Sequence, residues 1–323
     1  MTERPKPKLL DQARAALREK HYSIHTEHSY IDWMRRFILF HNKRHPREMA
    51  APEIEAFLTH LAVDRCVSAA TQQQALSALL FLYREVLDQD PGVVAMLRPK
   101  RPERLPATTM TREEARQVID ALSGVNRLIV QLIYGAGLRL QACLRLRVGD
   151  VDFEHCQIVV RNPKGWPDHV TMLPQSLVTP LQAQIERAAA LHRQDLDEGY
   201  GAAYLPPAIE QEHPQTHREW RWQYLFPAHK RSGDPRSGVT RRHHLGPSGP
   251  QKAVRQAALS SGIHKRITCR AFRDAFAAHL LEAGYTVRTV QELLGHKDVD
   301  TTLNRYIHIL NQPGPPIHSP LDG

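Results

Sequence analysis

Six side chains, in order along the second half of the chain, have the types needed to break and remake a phosphodiester: Arg139 in "GAGLRL", Lys164 in "NPKG", Arg270 and Arg273 in "CRAFRDAF", His296 in "LGHKD", and Tyr306. Attack on a phosphodiester builds negative charge on the nonbridging oxygens. Preorganised guanidinium and imidazole donors offset that charge, each worth roughly 2.7–4 kcal/mol. Two arginines can thus take the place of a metal ion. A phenol with a pKa of about 10 is a weak nucleophile at neutral pH, so Tyr306 needs positive charge and a proton acceptor beside it before it can attack. A lysine at a hairpin tip can protonate the departing 5′ oxygen. Taken singly, a helix-end histidine or a tyrosine is most often structural; the ordered set carries the information.

Other routes to phosphate chemistry lack their motifs. The chain has no G-x-x-x-x-G-K-[ST] loop, no G-x-G-x-x-G and no carboxylate cluster of the kind that holds magnesium, so neither a nucleotide cofactor nor a metal is expected. The cysteines, Cys66, Cys143, Cys156 and Cys269, lie far apart without a C-x-x-C pair, which argues for reduced thiols rather than zinc or a disulfide framework.

The elements that must position the six residues emerge from periodicity and punctuation. Residues 9–88 read as a small helical domain. In it "TEHSYIDWMRRFILFH", with Thr26 as its N-cap, puts Tyr30, Trp33, Phe37 and Ile38 on one face, and Leu76, Leu79, Leu80, Tyr83 and Leu87 form a second stripe. Three prolines in "LRPKRPERLPATTM" interrupt any helix there, and Arg98, Lys100 and Arg101 make the segment basic: a solvated hinge, or a strap along a phosphate backbone. Thr111 and Glu114 in "TREE" form a capping box that opens the second domain.

In that domain "VNRLIVQLIYGAGLRLQACLRLRV" is a helix, a glycine-marked turn and a second helix. "QIVVR" and "HVTML" are two strands around the loop "NPKGWPD", with Lys164 at its tip. Helices resume near Ser176. Residues 200–250 are irregular and rich in Pro, Gly, His and Trp, too long for an ordinary loop, which marks an insertion with its own role. After it come "QKAVRQAALSSG" and three further helical segments to about residue 310, and 311–323 read as a tail. The domains expected are therefore 1–97, a linker at 98–110, and 111–310.

Composition says what such a protein meets. Lys+Arg number 43 against 34 Asp+Glu in 323 residues, a formal charge of +9, so a polyanion is the favoured partner. The N-terminus has no apolar signal core and no run of about 18 apolar residues occurs, so the expected location is cytoplasmic, with the nucleoid, and not a membrane.

The ordered motifs resemble the tyrosine recombinases, and within them the integron integrases, over nearly the whole length. "LIYGAGLRLQACLRLRVGDVDF" is similar to the family's first arginine box, "NPKG" to its lysine hairpin, "CRAFRDAFAAHLLEAGY" to its second box, and "VRTVQELLGHKDVDTT" with "YIHIL" to its His and Tyr segments. "WQYLFP", "DPRSGVTRRHHL" and the final "SPLD" resemble the integron branch in particular.

The resemblance implies a mainly α fold with a small β-hairpin or sheet: an N-terminal helical, SAM-like core-binding domain and a C-terminal mixed α/β catalytic domain that together clamp DNA. It implies a 3′-phosphotyrosine intermediate, no cofactor, and four protomers on two DNA sites. By position, Arg139 and Arg273 would hold the scissile phosphate, with Arg270 a basic neighbour, Lys164 would be the general acid, His296 would support the phosphate and Tyr306 would attack. The insertion would read bases extruded from a folded single-stranded site through Trp222, Pro235, His243 and His244, flanked by Arg241 and Arg242. Aromatic and imidazole planes suit stacked bases. A solvated basic face is the plainer reading of "RRHH".

Four features depart from the family pattern. Ala142 stands where an acid follows the first arginine, and Arg270 and Asp274 stand where the second box carries histidines. Tyr306 comes ten positions after His296, where the family has nine. An extra residue inside a helix would rotate the rest of that helix by about 100° and shift it by about 1.5 Å, whereas one in the preceding turn would leave the tyrosine in place. The rival to an active recombinase is a catalytically impaired DNA-binding protein on the same scaffold.

Overall fold

The computed structural model describes residues 8–95, 110–161, 168–205, 207–297, 319 and 321, and the chain divides into two compact units after residue 107.

The first unit is helical: α1 (Leu9–Glu19), α2 (Ile24–Phe40), α3 (Ala51–Val63) and α4 (Ala69–Phe81). The α2 helix starts two residues before the Thr26 expected to cap it. Ser23 Oγ accepts the Thr26 amide at 3.1 Å, which makes Ser23 the cap and puts Thr26 inside the first turn. Trp33 and Phe37 are buried as their spacing requires, together with Ile31 and Met34. The stripe on α4 runs into a π-turn, Leu82–Val86. The wider turn brings both Leu82 and Tyr83 into the core, and the Tyr83 hydroxyl donates to the carbonyls of Pro46 (3.0 Å) and Met49 (3.1 Å). Burial pushes that phenol up to about 12.

The second unit opens with the expected capping box. Glu114 N donates to Thr111 Oγ1 at 3.1 Å and Thr111 N to Glu114 Oε2 at 2.8 Å, which starts α5 (Arg112–Asp120). Then come α6 (Gly124–Ala136), α7 (Leu140–Leu144) and an antiparallel sheet of β1 (Val151–Asp152), β2 (Gln157–Val160) and β3 (His169–Met172), in that spatial order. The β2–β3 register pairs Val160 with His169, so the loop expected to carry Lys164 joins two paired strands. A 3-10 turn, Gln175–Leu177, leads into α8 (Val178–Asp197).

The insertion holds α9 (Pro207–Glu212) and a two-strand ribbon of β4 (Ser232–Gly233) and β5 (Thr240–Arg241). After it come α10 (Ser248–Ser260), α11 (Cys269–Glu282) and α12 (Val287–Leu294). The third helical segment expected after "QKAVRQAALSSG", which would carry Tyr306, lies outside the described residues. The fold is mainly α with small antiparallel sheets.

The core of this unit forms where α6 and α11 pack through Leu132, Ile133, Phe272 and Phe276. Between these helices Tyr134 and His279 are both buried. His279 Nε2 lies 3.0 Å from the carbonyl of Met110, so it must donate, which leaves Nδ1 to accept from the Tyr134 hydroxyl at 2.9 Å. No helix among the described residues is long and apolar enough to cross a membrane.

Candidate active site

Three of the six residues are brought together by the ends of α6, α11 and α12. The α6 helix stops at Gly137, which adopts φ +65°. A Cβ there would lie 2.5 Å from the Phe276 ring and 3.1 Å from Leu294, so only glycine fits both the backbone and the space. The chain then turns outward, and Arg139 caps the start of α7 with extended backbone. The α12 helix likewise ends on a left-handed glycine, Gly295 at φ +59°, and His296 comes next, its amide donating to Gln291 O at 3.1 Å.

Arg273, one turn into α11 and almost fully buried, joins these two turns. Its Nη1 donates to the Gly137 carbonyl and its Nη2 donates to the Leu294 carbonyl at 2.8 Å. The same Nη2 lies 3.2 Å from His296 Nε2. A guanidinium has no acceptor, so Nε2 must accept and the imidazole is neutral with its proton on Nδ1.

The electrostatics agree. Burial, then Arg273, Arg139, Arg270 and His169, hold His296 down at about 4. Arg139 is exposed, and no side-chain hydrogen bond or ion pair from it is present among the described residues. Desolvation and the charge of Arg270 lower its pKa from the guanidinium range. The result is a basic cluster suited to an anion, since a bound phosphate would relieve the mutual repulsion of its members.

The departures from the motif pattern have visible surroundings. Asp274 pairs with Arg270 one turn back on α11, Oδ2 to Nε at 3.5 Å. Ala142 is partly buried against the core. Among the described residues no His/Cys/Asp/Glu group could hold a metal ion.

One residue of the site is not evident from the sequence. His169, the first residue of β3, sits against Gly295: a Cβ on that glycine would come within 2.5–2.6 Å of three atoms of the His169 ring. Burial, Arg273 and Arg139 lower its pKa, and Asp168 opposes them. Its strand position, just past the lysine loop, is the available signal.

The insertion is tied to this unit by backbone pairing and by arginines. The amide of Leu225 donates to Leu146 O (2.8 Å) and that of Val148 to Gln223 O (3.0 Å), and Leu245 donates to Phe226 O (2.8 Å), so 146–148, 223–228 and 243–245 run side by side. Trp222 is buried, with the guanidiniums of Arg161 and Arg147 over its ring at 4.9 and 5.5 Å. Arg147 also donates to the carbonyls of Trp222 and Tyr204. Arg242 makes a two-point contact with buried Asp195 of α8, at 2.5 and 2.7 Å, and donates to the carbonyls of Ala228 and His229.

Arg241 lies near Glu210 (3.8 Å) and 6.0 Å from the Tyr204 ring. His243 lies between the rings of Tyr204 and Tyr224, each 6.4 Å away, and His244 meets Tyr224 edge-on while its Nδ1 donates to Leu245 O at 2.7 Å. Burial lowers the pKa of both histidines. Pro235 is exposed at the tip of the β4–β5 ribbon, where Asp234 accepts the amides of Arg236 and Ser237. Lys164, Tyr306, Arg98, Lys100 and Arg101 lie outside the described residues.

A model of the phage integrase N-terminal SAM-like domain matches residues 9–92, and one of the phage integrase family matches 108–312. An "integrase/recombinase" of Escherichia coli and one of Pseudomonas aeruginosa are each 45% identical over 316 residues, 98% of this chain and 93% of theirs. Among solved structures, the Tn1549 transposon integrase in complex with circular intermediate DNA is similar in fold. It has a TM-score of 0.58 at 15% identity, over 92% of this chain and 94% of that one.

Proposed function

The chain belongs to the phage integrase family, the tyrosine recombinases, and we propose that it is a site-specific DNA recombinase of the integron-integrase type, integrating and excising gene cassettes. In this reading the Tyr306 phenol gives up its proton to water, its oxygen attacks the scissile phosphorus, the bond to the 5′ oxygen breaks, and Lys164 protonates that oxygen as it leaves. The DNA end stays on the enzyme as a 3′-phosphotyrosine ester, so the phosphodiester's energy is kept for rejoining. That is why no nucleotide is needed. Arg139 and Arg273 bind the nonbridging oxygens, Arg270 adds positive charge, and His296 hydrogen-bonds the phosphate group.

One observation carries the reading: the Arg273 guanidinium bonds carbonyls two residues before Arg139 and two residues before His296. It gathers the three side chains that this reading places on the phosphate. Duplex DNA is the substrate in this reading, bound by domains 1–97 and 111–310 and by Arg98, Lys100 and Arg101 of the linker. Four protomers assemble on two sites, near the nucleoid in the cytoplasm. A folded single-stranded cassette site is the second substrate, met by the insertion through Pro235, His243 and His244, with Trp222, Arg241 and Arg242 holding that surface together.

The test is to incubate the purified chain with a nicked recombination site and denature it. A covalent protein–DNA adduct is expected from the wild type and none from Tyr306→Phe. Tight binding with no adduct from either would leave a DNA-binding protein on the same scaffold. For the cassette site, His243→Ala/His244→Ala should weaken binding to the folded strand by about tenfold and to duplex by less than about twofold. Equal losses would reduce that patch to nonspecific charge.

A further inference from the structure

Neither phosphate binding nor attack uses His169, yet β3 touches both turns that present the phosphate-binding groups. Residues 169 and 171 share one face of the strand. Thr171, fully buried, donates from Oγ1 to the Ala136 carbonyl at 2.8 Å, just before Gly137 and Arg139. His169 fills the space over Gly295, just before His296. The same strand pairs with β2 and continues the loop that carries Lys164.

We propose that His169 is a positioning residue: packed on Gly295, it fixes the His296 turn against the lysine hairpin. The proposal rests on reading this site as that of a recombinase. Gly295 and His169 are complementary in size, because glycine at 295 leaves the room and an imidazole at 169 occupies it. Loss of the ring opens a gap under the turn, and α12 and Arg273 then hold His296 from one side only. The charged and titratable groups around the imidazole are Arg273 of α11, Arg139 at the start of α7, His296 after α12 and Asp168 beside it in the chain.

Two measurements test this on the full chain. In hydrogen exchange followed by mass spectrometry, His169→Ala should speed exchange in residues 294–297 by about tenfold or more while α11 is unchanged. In the nicked-site assay the same variant should form adduct about 10–100-fold more slowly, with DNA affinity within about twofold of wild type. His169→Asn, which keeps a polar planar group over the glycine, should recover most of the rate. In a His296→Ala background, adding His169→Ala should cost less than about twofold more, because both changes remove the same function.

Unchanged exchange at 294–297 overturns the proposal whether or not the chain cleaves DNA. So does an equal rate loss in both backgrounds. If exchange responds but the wild type forms no adduct, the recombinase reading fails and the positioning of the turn by His169 stands.

Discussion

Arg273 Nη2 stands 3.2 Å from His296 Nε2, with the arginine as donor and a neutral imidazole as acceptor. The contact joins residues 23 apart in sequence, on α11 and just past the end of α12. Burial first, and then this contact, hold His296 at about 4: a proton on Nε2 would displace the hydrogen bond and face a guanidinium. The imidazole is therefore neutral at physiological pH, with its proton on Nδ1.

Arg273→Lys should leave the fold in place and slow adduct formation by about 100–1,000-fold, the scale of removing one preorganised donor from a developing oxyanion. A lysine cannot span the Gly137 and Leu294 carbonyls in a planar fork and still face His296. The rate on a nicked duplex, measured alongside circular dichroism, reads both effects; a rate within threefold or so of wild type would remove Arg273 from the phosphate site.

Gly137→Ala should destabilise the second unit by about 2–4 kcal/mol. The new methyl meets the buried Phe276 ring at 2.5 Å and the backbone stays at φ +65°, so neither side can yield cheaply. Urea unfolding gives the value. A loss under about 0.5 kcal/mol would mean that the turn before Arg139 is softer than this packing allows.

Acidification should destabilise the second unit well above the carboxylate range. His296 titrates at about 4, and burial lowers His169, His192, His243, His244 and His279. Unfolded histidines take up protons near 6.5, so between that pH and the depressed folded values the unfolded state binds more protons and stability is lost as pH falls. The Tm should drop by about 5 °C or more from pH 7 to pH 5. A flat Tm over that range would contradict the neutral, buried state of these imidazoles.

Asp195→Ala should loosen the insertion. The buried carboxylate holds Arg242 at 2.5 and 2.7 Å and Arg231 at 3.4 Å, so its removal leaves Arg242 without its counter-charge and Arg231 with Glu198 alone, a loss of about 3 kcal/mol. Hydrogen exchange should rise across 224–245 and remain unchanged in α11. Protection across 224–245 equal to wild type would show that backbone pairing with 146–148 alone anchors the segment.

Much of the scaffold is legible in the sequence because it obeys local rules. Thr111 and Glu114 announce their capping box, Gly137 its helix end, and the alternation in "QIVVR" and "HVTML" the two paired strands. Thr26 competes with Ser23 as the cap of α2 because either hydroxyl can cap, and only the phase of the first turn decides between them. The π-turn at Leu82 adds one residue to a stripe that otherwise reads as plain α.

The candidate site is legible as a list of residues and less so as an arrangement. Nothing in the spacing of Arg273 shows that it bonds the carbonyls of Gly137 and Leu294, because those contacts are set by where three helices end in space. His169 escapes notice for the same reason: its importance comes from a glycine more than a hundred residues away. Nor does the altered second box show that Asp274 takes Arg270 as its partner, one turn back on the same helix.

Covalent attack by Tyr306 on DNA is the step on which the proposed function turns. Its most direct test is to trap the adduct on a nicked site, digest protein and DNA, and map the joined residue by mass spectrometry. A single nucleotide-bearing peptide, modified on Tyr306 through a 3′ phosphate, is the predicted result. An adduct on another residue, or none from protein that binds the site tightly, would contradict it.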